Sequence, residues 1–331
     1  MNVTFEAEIS YDGENWTDYD MTASNPTITA DLNIGDRVYI RPKHNVTTPF
    51  AAPNGLIIGP RFASFHGSWS VHGDIAYMIS PTGTQPLQTF TAYNGQIIGQ
   101  FRHFFDFDGL AKNTTTGVLD VSDLKLGFPV LTEGCYESMF AGGPDLLNYT
   151  QYPNIKTTAK HKAKVLAPRC YYGMYSDCDN LVDISSAIYA PDVWAENAYY
   201  EMFNGCDSLS APPNLPENFP MLPGMFRNMF NNSGQNNTVT LKPAQPEAWN
   251  DCLQQIYRSS NISVCPDKRV TLDLSHFTSV PPLSSSTNMR ITILSKQQDD
   301  ARLTIKVPAN LYEEFTTATT WATFAPRMVA V

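Results

Sequence analysis

The sequence predicts an α+β protein in which a small N-terminal antiparallel β domain precedes a solenoid of stacked repeats and a C-terminal helical cap. A twelve-residue segment recurs along the middle of the chain, alternating apolar and polar residues precede it, and apolar residues at helical spacing close the sequence. Recurrence at a nearly fixed interval is typical of stacked repeats, because a unit too small to enclose its own apolar face must share a core with its neighbours.

Residues 1–62 carry the pattern of strands. Apolar residues alternate with polar ones at Val3, Phe5, Ala7 and Ile9, as in a half-buried strand, and Asp12-Gly13 favours a hairpin turn. We expect a small antiparallel sheet that serves either as an attachment module or as the polar cap that a solenoid needs at its open end. Residues 63–79 then form a connecting segment.

The recurring segment occupies residues 80–237. Its clearest copy is Ala198–Leu209; matching copies begin at Cys135 and Cys170, a fading one at Met225 and a divergent one at Gln100. The intervals between starts are 35, 35, 28 and 27 residues. In each copy an aromatic residue comes second and a Met–aromatic pair follows three to four places later, which puts them on one side of a helical turn. The unit therefore predicts a short helix, a turn and a brief extended stretch.

The recurrence also predicts which side chains form the shared core, because a residue type kept at one position of every copy is typical of packing. This repeat core consists of Cys135, Tyr136, Met139, Phe140, Leu146, Cys170, Tyr171, Met174, Tyr175, Cys178, Leu181, Tyr199, Met202, Phe203, Cys206, Leu209, Phe226, Met229 and Phe230. Aromatic residues beside these positions are candidates for surface contact, since exposed rings in one column can stack on sugars: Tyr149, Tyr152, Tyr172, Trp194 and Tyr200.

Residues 238–331 predict further strands of the solenoid and its cap. Ala248–Tyr257 has apolar residues at helical spacing, and three short runs read as strands: Val270–Leu274, Arg290–Leu294 and Leu303–Val307. The segment Asn310–Trp321 predicts a helix that folds over the final coil and seals its core, as expected of an atypical terminal repeat.

The pattern C-Y-x-x-M-F-x-G-C-x-x-L followed by a Pro-Leu-Pro tail resembles the BspA-type leucine-rich repeats of gut bacteria and of their phages. Flanking segments are similar to the modules of such proteins: Ile9–Thr17, Val71–Ile79, Val307–Tyr312 and Arg327–Val331. The resemblance implies a leucine-rich-repeat-like solenoid. Copies depart from the pattern where Gly143 and Ser233 replace the second Cys.

Composition excludes several functions. The net charge is −10. The one local basic cluster, Lys160–Lys164, is interpreted as a solvated insertion between repeats. Nucleic acid is therefore not an expected partner, since phosphate contacts need clustered Lys and Arg. No run of about 18 apolar residues predicts a membrane span. The first residues lack a signal-peptide pattern, which favours a protein made in the host cytoplasm and carried in a virion over an exported surface adhesin.

No catalytic, cofactor or metal residues are predicted. The G-x-S-x-G, H-E-x-x-H and phosphate-loop patterns are missing from the sequence. His66 and His72 are not predicted as metal ligands, because no carboxylate residues accompany them. Asp106–Gly109 resembles the start of a calcium loop but lacks the later ligands. The six cysteines are expected to be buried thiols, because zinc would need paired short spacings with His partners.

We therefore expect a non-enzymatic phage virion structural protein, as a capsid-surface fibre, a decoration or a tail-associated part. Its partners would be other virion proteins, further copies of itself, and a host-surface glycan or protein. The alternatives are a bacterial cell-surface adhesin or glycan-binding module and, third, a polysaccharide hydrolase, because a carboxylate pair for glycoside cleavage is recognised only in space.

Overall fold

The computed structural model describes residues 5–21, 36–42, 57–58, 62–63, 69–70, 72–74, 98–99, 105–106, 118–141, 154–156, 163–178, 181, 184, 188–209, 215–233, 238–256, 269–283 and 302–331. The fold and the candidate site are built from these residues. Leu146, Tyr149, Tyr152 and the predicted strand Arg290–Leu294 lie outside them.

A three-stranded antiparallel sheet lies near the N-terminus. Its strands are β1 (Phe5–Ser10), β2 (Thr17–Met21) and β3 (Tyr39–Pro42), in the order β2-β1-β3. The β1–β2 connection is fixed by Asp12, whose Oδ1 accepts hydrogen bonds from the backbone amides of Glu14 and Asn15 and from the Ser10 hydroxyl. Asn15 Nδ2 also donates to the Asp12 carboxylate, and this bond makes the largest contribution to lowering its pKa. Together these bonds hold the pKa of the Asp12 carboxyl well below its usual range.

Short parallel strands follow, each pairing with a segment far along the chain. The pairs are β4 (Ile57–Ile58) with β8 (Ile98–Gly99), β5 (Phe62–Ala63) with β9 (Phe105–Asp106), β7 (Gly73–Asp74) with β11 (Leu124–Lys125), and β10 (Val118–Asp120) with both β6 (Trp69–Ser70) and β12 (Asn154–Lys156). All of these pairings are parallel, so the chain returns in the same direction each time.

The four-stranded parallel sheet is the largest in the described residues. It comprises β13 (Thr238–Leu241), β14 (Arg269–Asp273), β15 (Leu303–Val307) and β16 (Met328–Ala330), in sequence order. A 3-10 turn at Ala309–Leu311, helix α1 (Tyr312–Thr317) and a 3-10 segment at Trp321–Arg327 lie between the last two strands. Trp321 is buried against Phe315 and Trp249, and its indole Nε1 donates to the carbonyl of Pro281. This cluster joins the C-terminal segment to the preceding part of the core.

The predicted fold class, an α+β leucine-rich-repeat-like solenoid with a C-terminal helical cap, is wrong. The recurring segments that begin at Cys135, Cys170, Ala198 and Met225 are hydrogen-bonded turns without α-helix where the structure describes them, whereas the copy that begins at Gln100 lies outside the described residues apart from Phe105–Asp106. The longest α-helix of the described residues, α1, has six residues. In the described residues the sheets are the four-stranded parallel one, the three-stranded antiparallel one, a three-stranded parallel one in the order β12-β10-β6, and three two-stranded parallel ones. The segment Ala248–Tyr257, predicted as a helix, is also a turn over its described part.

The physical reason lies in the backbone. About every fourth residue of the recurring segments has a positive φ, including Ser138, Glu201 and Asn228 at 51°, 56° and 55°. Non-glycine residues adopt this left-handed conformation only at a cost, and it interrupts the run of right-handed residues that an α-helix needs. Apolar spacing of three to four residues was therefore compatible with a different local structure.

Candidate functional site

The recurring segments pack on one another, and we call residues 130–141, 163–178, 190–209, 215–233 and 248–256 together the turn stack. Alternate backbone amides bond within a segment and to the next one. Glu137 N donates to Gly134 O within the segment, whereas Tyr136 N and Ser138 N donate to Cys170 O and Tyr172 O of the next, both at 2.8 Å. Both sets of amides are therefore paired, as buried backbone N–H groups require.

Two columns of aromatic rings run through the interior of the turn stack. The first contains Tyr136, Tyr171, Tyr199 and Phe226, with successive ring centroids 5.7, 5.4 and 5.4 Å apart and ring planes within 14° of parallel. The second contains Phe140, Tyr175, Phe203 and Phe230, with centroids 5.2, 5.3 and 5.5 Å apart. Near-parallel rings at this spacing add to the stabilisation from burial.

The remaining residues predicted as repeat core lie in the same interior where the structure describes them. Met139, Met174, Met202 and Met229 have no exposed surface, and Leu181 and Leu209 are equally buried. The side chains kept at matching positions are thus used in packing between segments.

The cysteines of the turn stack are buried thiols. Cys178 Sγ and Cys206 Sγ donate to the carbonyls of Phe140 and Tyr175 in the preceding segment, each at 3.1 Å. Burial raises the pKa of Cys170 to about 12 and raises the pKa of Cys135 and Cys252 as well. A thiol that stays protonated is a poor nucleophile, so these groups serve packing. Cys265 lies outside the described residues.

A row of charged and aromatic side chains follows the outer surface of the turn stack. The rings of Tyr172 and Tyr200 stack with centroids 5.0 Å apart. The Arg227 guanidinium lies 5.5 Å from the Tyr200 centroid, and that of Arg169 lies 4.7 Å from the Tyr172 centroid. Arg169 also donates a hydrogen bond to Glu137 of the preceding segment at 2.9 Å.

Polar contacts fix this row in place. Glu201 accepts hydrogen bonds from the Tyr172 hydroxyl and from Asn228 Nδ2, both at 3.1 Å. Asp251 accepts from the Gly224 amide at 2.9 Å and pairs with Arg227 at 3.5 Å. Burial, reinforced by the Glu201 carboxylate, raises the pKa of Tyr172 to about 12. The phenol therefore remains a neutral donor near neutral pH.

Three of the residues predicted for surface contact are half-buried in the turn stack: Tyr172, Trp194 and Tyr200. The rings of Tyr172 and Tyr200 stack on each other, and each also has an arginine guanidinium over it. Trp194 is half-buried and packs edge-on against Phe226 at 6.4 Å.

Two carboxyl groups of the turn stack, those of Asp177 and Asp207, have raised pKa values. Burial raises the pKa of Asp177, with the Glu201 and Asp207 carboxylates adding to the shift, and burial also raises the pKa of Asp207. In the part of the chain that the structure describes, no three His, Cys, Asp or Glu side chains are grouped so as to hold a metal ion. His72 and Asp123 form an exposed pair at 2.9 Å.

A fifth segment of the turn stack was missed by the sequence analysis. Phe226 N and Phe230 N donate to Cys252 O and Ile256 O, continuing the same pattern of bonds, and Gln255 has the matching positive φ of 54°. The interval from Met225 to Cys252 is 27 residues, the same as the interval before it, so the spacing contained the signal. This signal was hard to recognise because Leu253 and Ile256 take the positions of the aromatic residue and the Met.

Comparisons with family models, with curated proteins and with solved structures find no match to this chain. Within the described ranges, none of the helical segments has the length and apolar character needed to cross a membrane.

Proposed function

We propose that the chain is a non-enzymatic structural protein of a phage virion that acts by presenting a rigid surface to other proteins or to the host surface. The burial of the recurring side chains carries this proposal. The aromatic, Met and Cys residues that repeat from segment to segment are packed inside the turn stack, and the outer row is held by its own ion pairs and hydrogen bonds. Such an arrangement provides a fixed exterior.

The virion assignment rests on the resemblance of the recurring segment to repeats found in gut bacteria and their phages. In this proposal the N-terminal sheet β1–β3 docks to the particle, and the turn stack faces outward. The partners are other virion proteins and further copies of the chain. Host-surface contact is the outward task.

The proposal is tested by incorporation into particles. Deleting residues 1–62 from the chain in a phage that encodes it should yield particles without the protein, while circular dichroism of the purified remainder checks that it still folds. A point variant avoids the risk of misfolding: Tyr11→Ser changes an exposed side chain of the β1–β2 connection and should weaken incorporation. Tyr189→Ser, at an exposed tyrosine that directly precedes residues 190–209 of the turn stack, is the matched control.

Normal incorporation of both the deletion and Tyr11→Ser would contradict docking through the N-terminal sheet. Failure to find the chain in purified particles by mass spectrometry would contradict the virion role itself.

A further inference from the structure

The turn stack contains an asparagine followed by a glycine, Asn204–Gly205, and both residues are half-buried. Such a pair is prone to deamidation, because the backbone nitrogen of the second residue attacks the side-chain carbonyl carbon of the first and glycine has no side chain to hinder the approach. The two other Asn-Gly pairs of the sequence, Asn54–Gly55 and Asn94–Gly95, lie outside the described residues. Whether Asn204 reacts therefore depends on how the stack holds this pair.

Hydrogen bonds to the next segment occupy both groups that would react. Gly205 N, the nucleophile, donates its proton to Asn231 O at 2.9 Å. Asn204 Oδ1, on the carbon that would be attacked, accepts from Asn231 Nδ2 at 3.1 Å. Attack requires the nitrogen to lose its proton and the side-chain carbon to come within bonding distance of it. Each change breaks or strains a bond to Asn231, so the reaction needs the two segments to separate locally.

The preceding segment holds the same peptide group from the other side. Asp177 N donates to Asn204 O at 2.7 Å, and Asn204 N donates to Glu201 O within its own segment at 3.1 Å. A Cβ built at Gly205 would lie 2.3 Å from Asp177 Oδ1, so the Asp177 carboxyl lies directly against this glycine. The Asn204–Gly205 pair is therefore fixed between two neighbouring segments.

Carboxyl groups are concentrated around the pair. Besides burial, the charges of the Glu201 and Asp207 carboxylates contribute to raising the pKa of Asp177. Deamidation would add a carboxylate at Asn204, where negative charges already repel one another. Its isoaspartate product would also route the main chain through the former side chain, which lengthens the backbone and displaces the hydrogen bonds that follow. Either product should therefore oppose the return of the segments to contact.

We propose that Asn204 is a deamidation site that the turn stack keeps closed, and that its reaction converts a transient separation of segments into a lasting one. After separation, the Gly205 nitrogen gives up its proton and bonds to Asn204 Cγ. The Cγ–Nδ2 bond breaks, and the leaving nitrogen takes up a proton and departs as ammonia. Water then opens the succinimide at one of its two carbonyls and leaves aspartate or isoaspartate. The inference concerns the lifetime of the stack and does not depend on the virion role.

The test is peptide mass spectrometry of the full chain incubated in mildly alkaline buffer, with a synthetic peptide of residues 198–209 as the unprotected reference. Deamidation at Asn204 should be slower in the native chain by about a hundredfold or more, because only a small fraction of molecules is open at any time.

Two variants of the next segment test which contact closes the site. Asn231→Ala removes the amide that holds Asn204 and should speed the reaction about two- to tenfold, the factor that one hydrogen bond contributes. Asn228→Gly is the matched control, because it removes an amide that bonds to Glu201 instead and glycine accepts the positive φ found there. It should speed the reaction much less.

Deamidation of Asn204 in the native chain at the rate of the peptide would overturn the inference, and so would equal acceleration by Asn231→Ala and Asn228→Gly. Asn54 and Asn94 are located in separate peptides and counted apart. Asn204→Asp imitates the aspartate product and still offers an oxygen to Asn231 Nδ2, yet it should unfold at a lower urea concentration than the wild-type chain. An Asn204→Asp variant as stable as the wild-type chain would contradict the lasting separation.

Discussion

Replacing Gly205 by Ala tests how tightly neighbouring segments of the turn stack approach each other. Gly205 has a φ of +76°, and a Cβ built there would lie 2.3 Å from the Asp177 carboxylate oxygen of the preceding segment and 3.4 Å from its Cα. Gly173 is the matched control, because its φ is +55° but its nearest neighbours would be the Ser138 hydroxyl at 3.4 Å and the Ser176 Cβ at 3.8 Å.

Both substitutions place an L side chain in the left-handed region, at a cost of roughly 1–2 kcal/mol. Gly205→Ala must also displace the half-buried Asp177 side chain, and overpacking of this kind costs roughly 1–3 kcal/mol more. We therefore expect a loss of about 2–5 kcal/mol for Gly205→Ala and about 1–2 kcal/mol for Gly173→Ala. The free energy of unfolding is measured by urea denaturation, with fluorescence and circular dichroism required to give coincident transitions.

A double-mutant cycle with Asp177→Gly isolates the contact. Removing the carboxylate should recover most of the additional cost of Gly205→Ala, giving a coupling of roughly 1–3 kcal/mol. Equal losses for Gly205→Ala and Gly173→Ala, or no recovery with Asp177→Gly, would refute the close approach of the two segments.

Three further predictions concern the same region. Tyr171→Leu, in the first ring column, should lower the free energy of unfolding by several kcal/mol, on the order of the loss for other replacements of large buried side chains. Tyr172→Leu on the outer row should lower it much less. Equal losses of the two variants in urea denaturation would be inconsistent with the columns. The pKa of Asp177 is raised in the folded state, so the free energy of unfolding should increase as pH falls from neutral through that raised pKa. Asp177→Asn should therefore stabilise the chain at pH 7 and make the melting temperature depend less on pH. A destabilised variant would contradict the direction of the shift. The five buried thiols should react with a thiol reagent only after denaturation. Rapid labelling of these five in the native chain, located by peptide mass spectrometry so that Cys265 is counted separately, would show that the interior is open.

The positions of the aromatic residues were the most informative part of the sequence. Tyr136, Tyr171 and Tyr199 were expected to share a core because they recur at one position, and they lie in one buried column. The local structure was predicted wrongly, since a spacing of three to four residues indicates a helix unless the left-handed residues are known. A glycine in the sequence indicates that a positive φ is possible, whereas residues such as Glu201 and Gln255 give no such indication.

The register of the four-stranded parallel sheet could not be predicted for another reason. Thr240, Thr271 and Thr304 become neighbours only through the register of strands about thirty residues apart, and alternation within one strand does not specify that register. The contacts of arginine guanidinium groups with the rings of Tyr172 and Tyr200 could not be predicted either, because the guanidinium groups come from different segments.

Ring-to-ring contacts measured by NMR on tyrosine-labelled protein test the central claim most directly, namely that matching positions of successive segments lie on one another. The Tyr171 ring should show nuclear Overhauser contacts to the rings of both Tyr136 and Tyr199, whose centroids lie 5.7 and 5.4 Å away, and Tyr136 and Tyr199 should show none to each other. A Tyr171 ring that contacts neither neighbour would contradict the stacking of the segments and the fixed surface that depends on it.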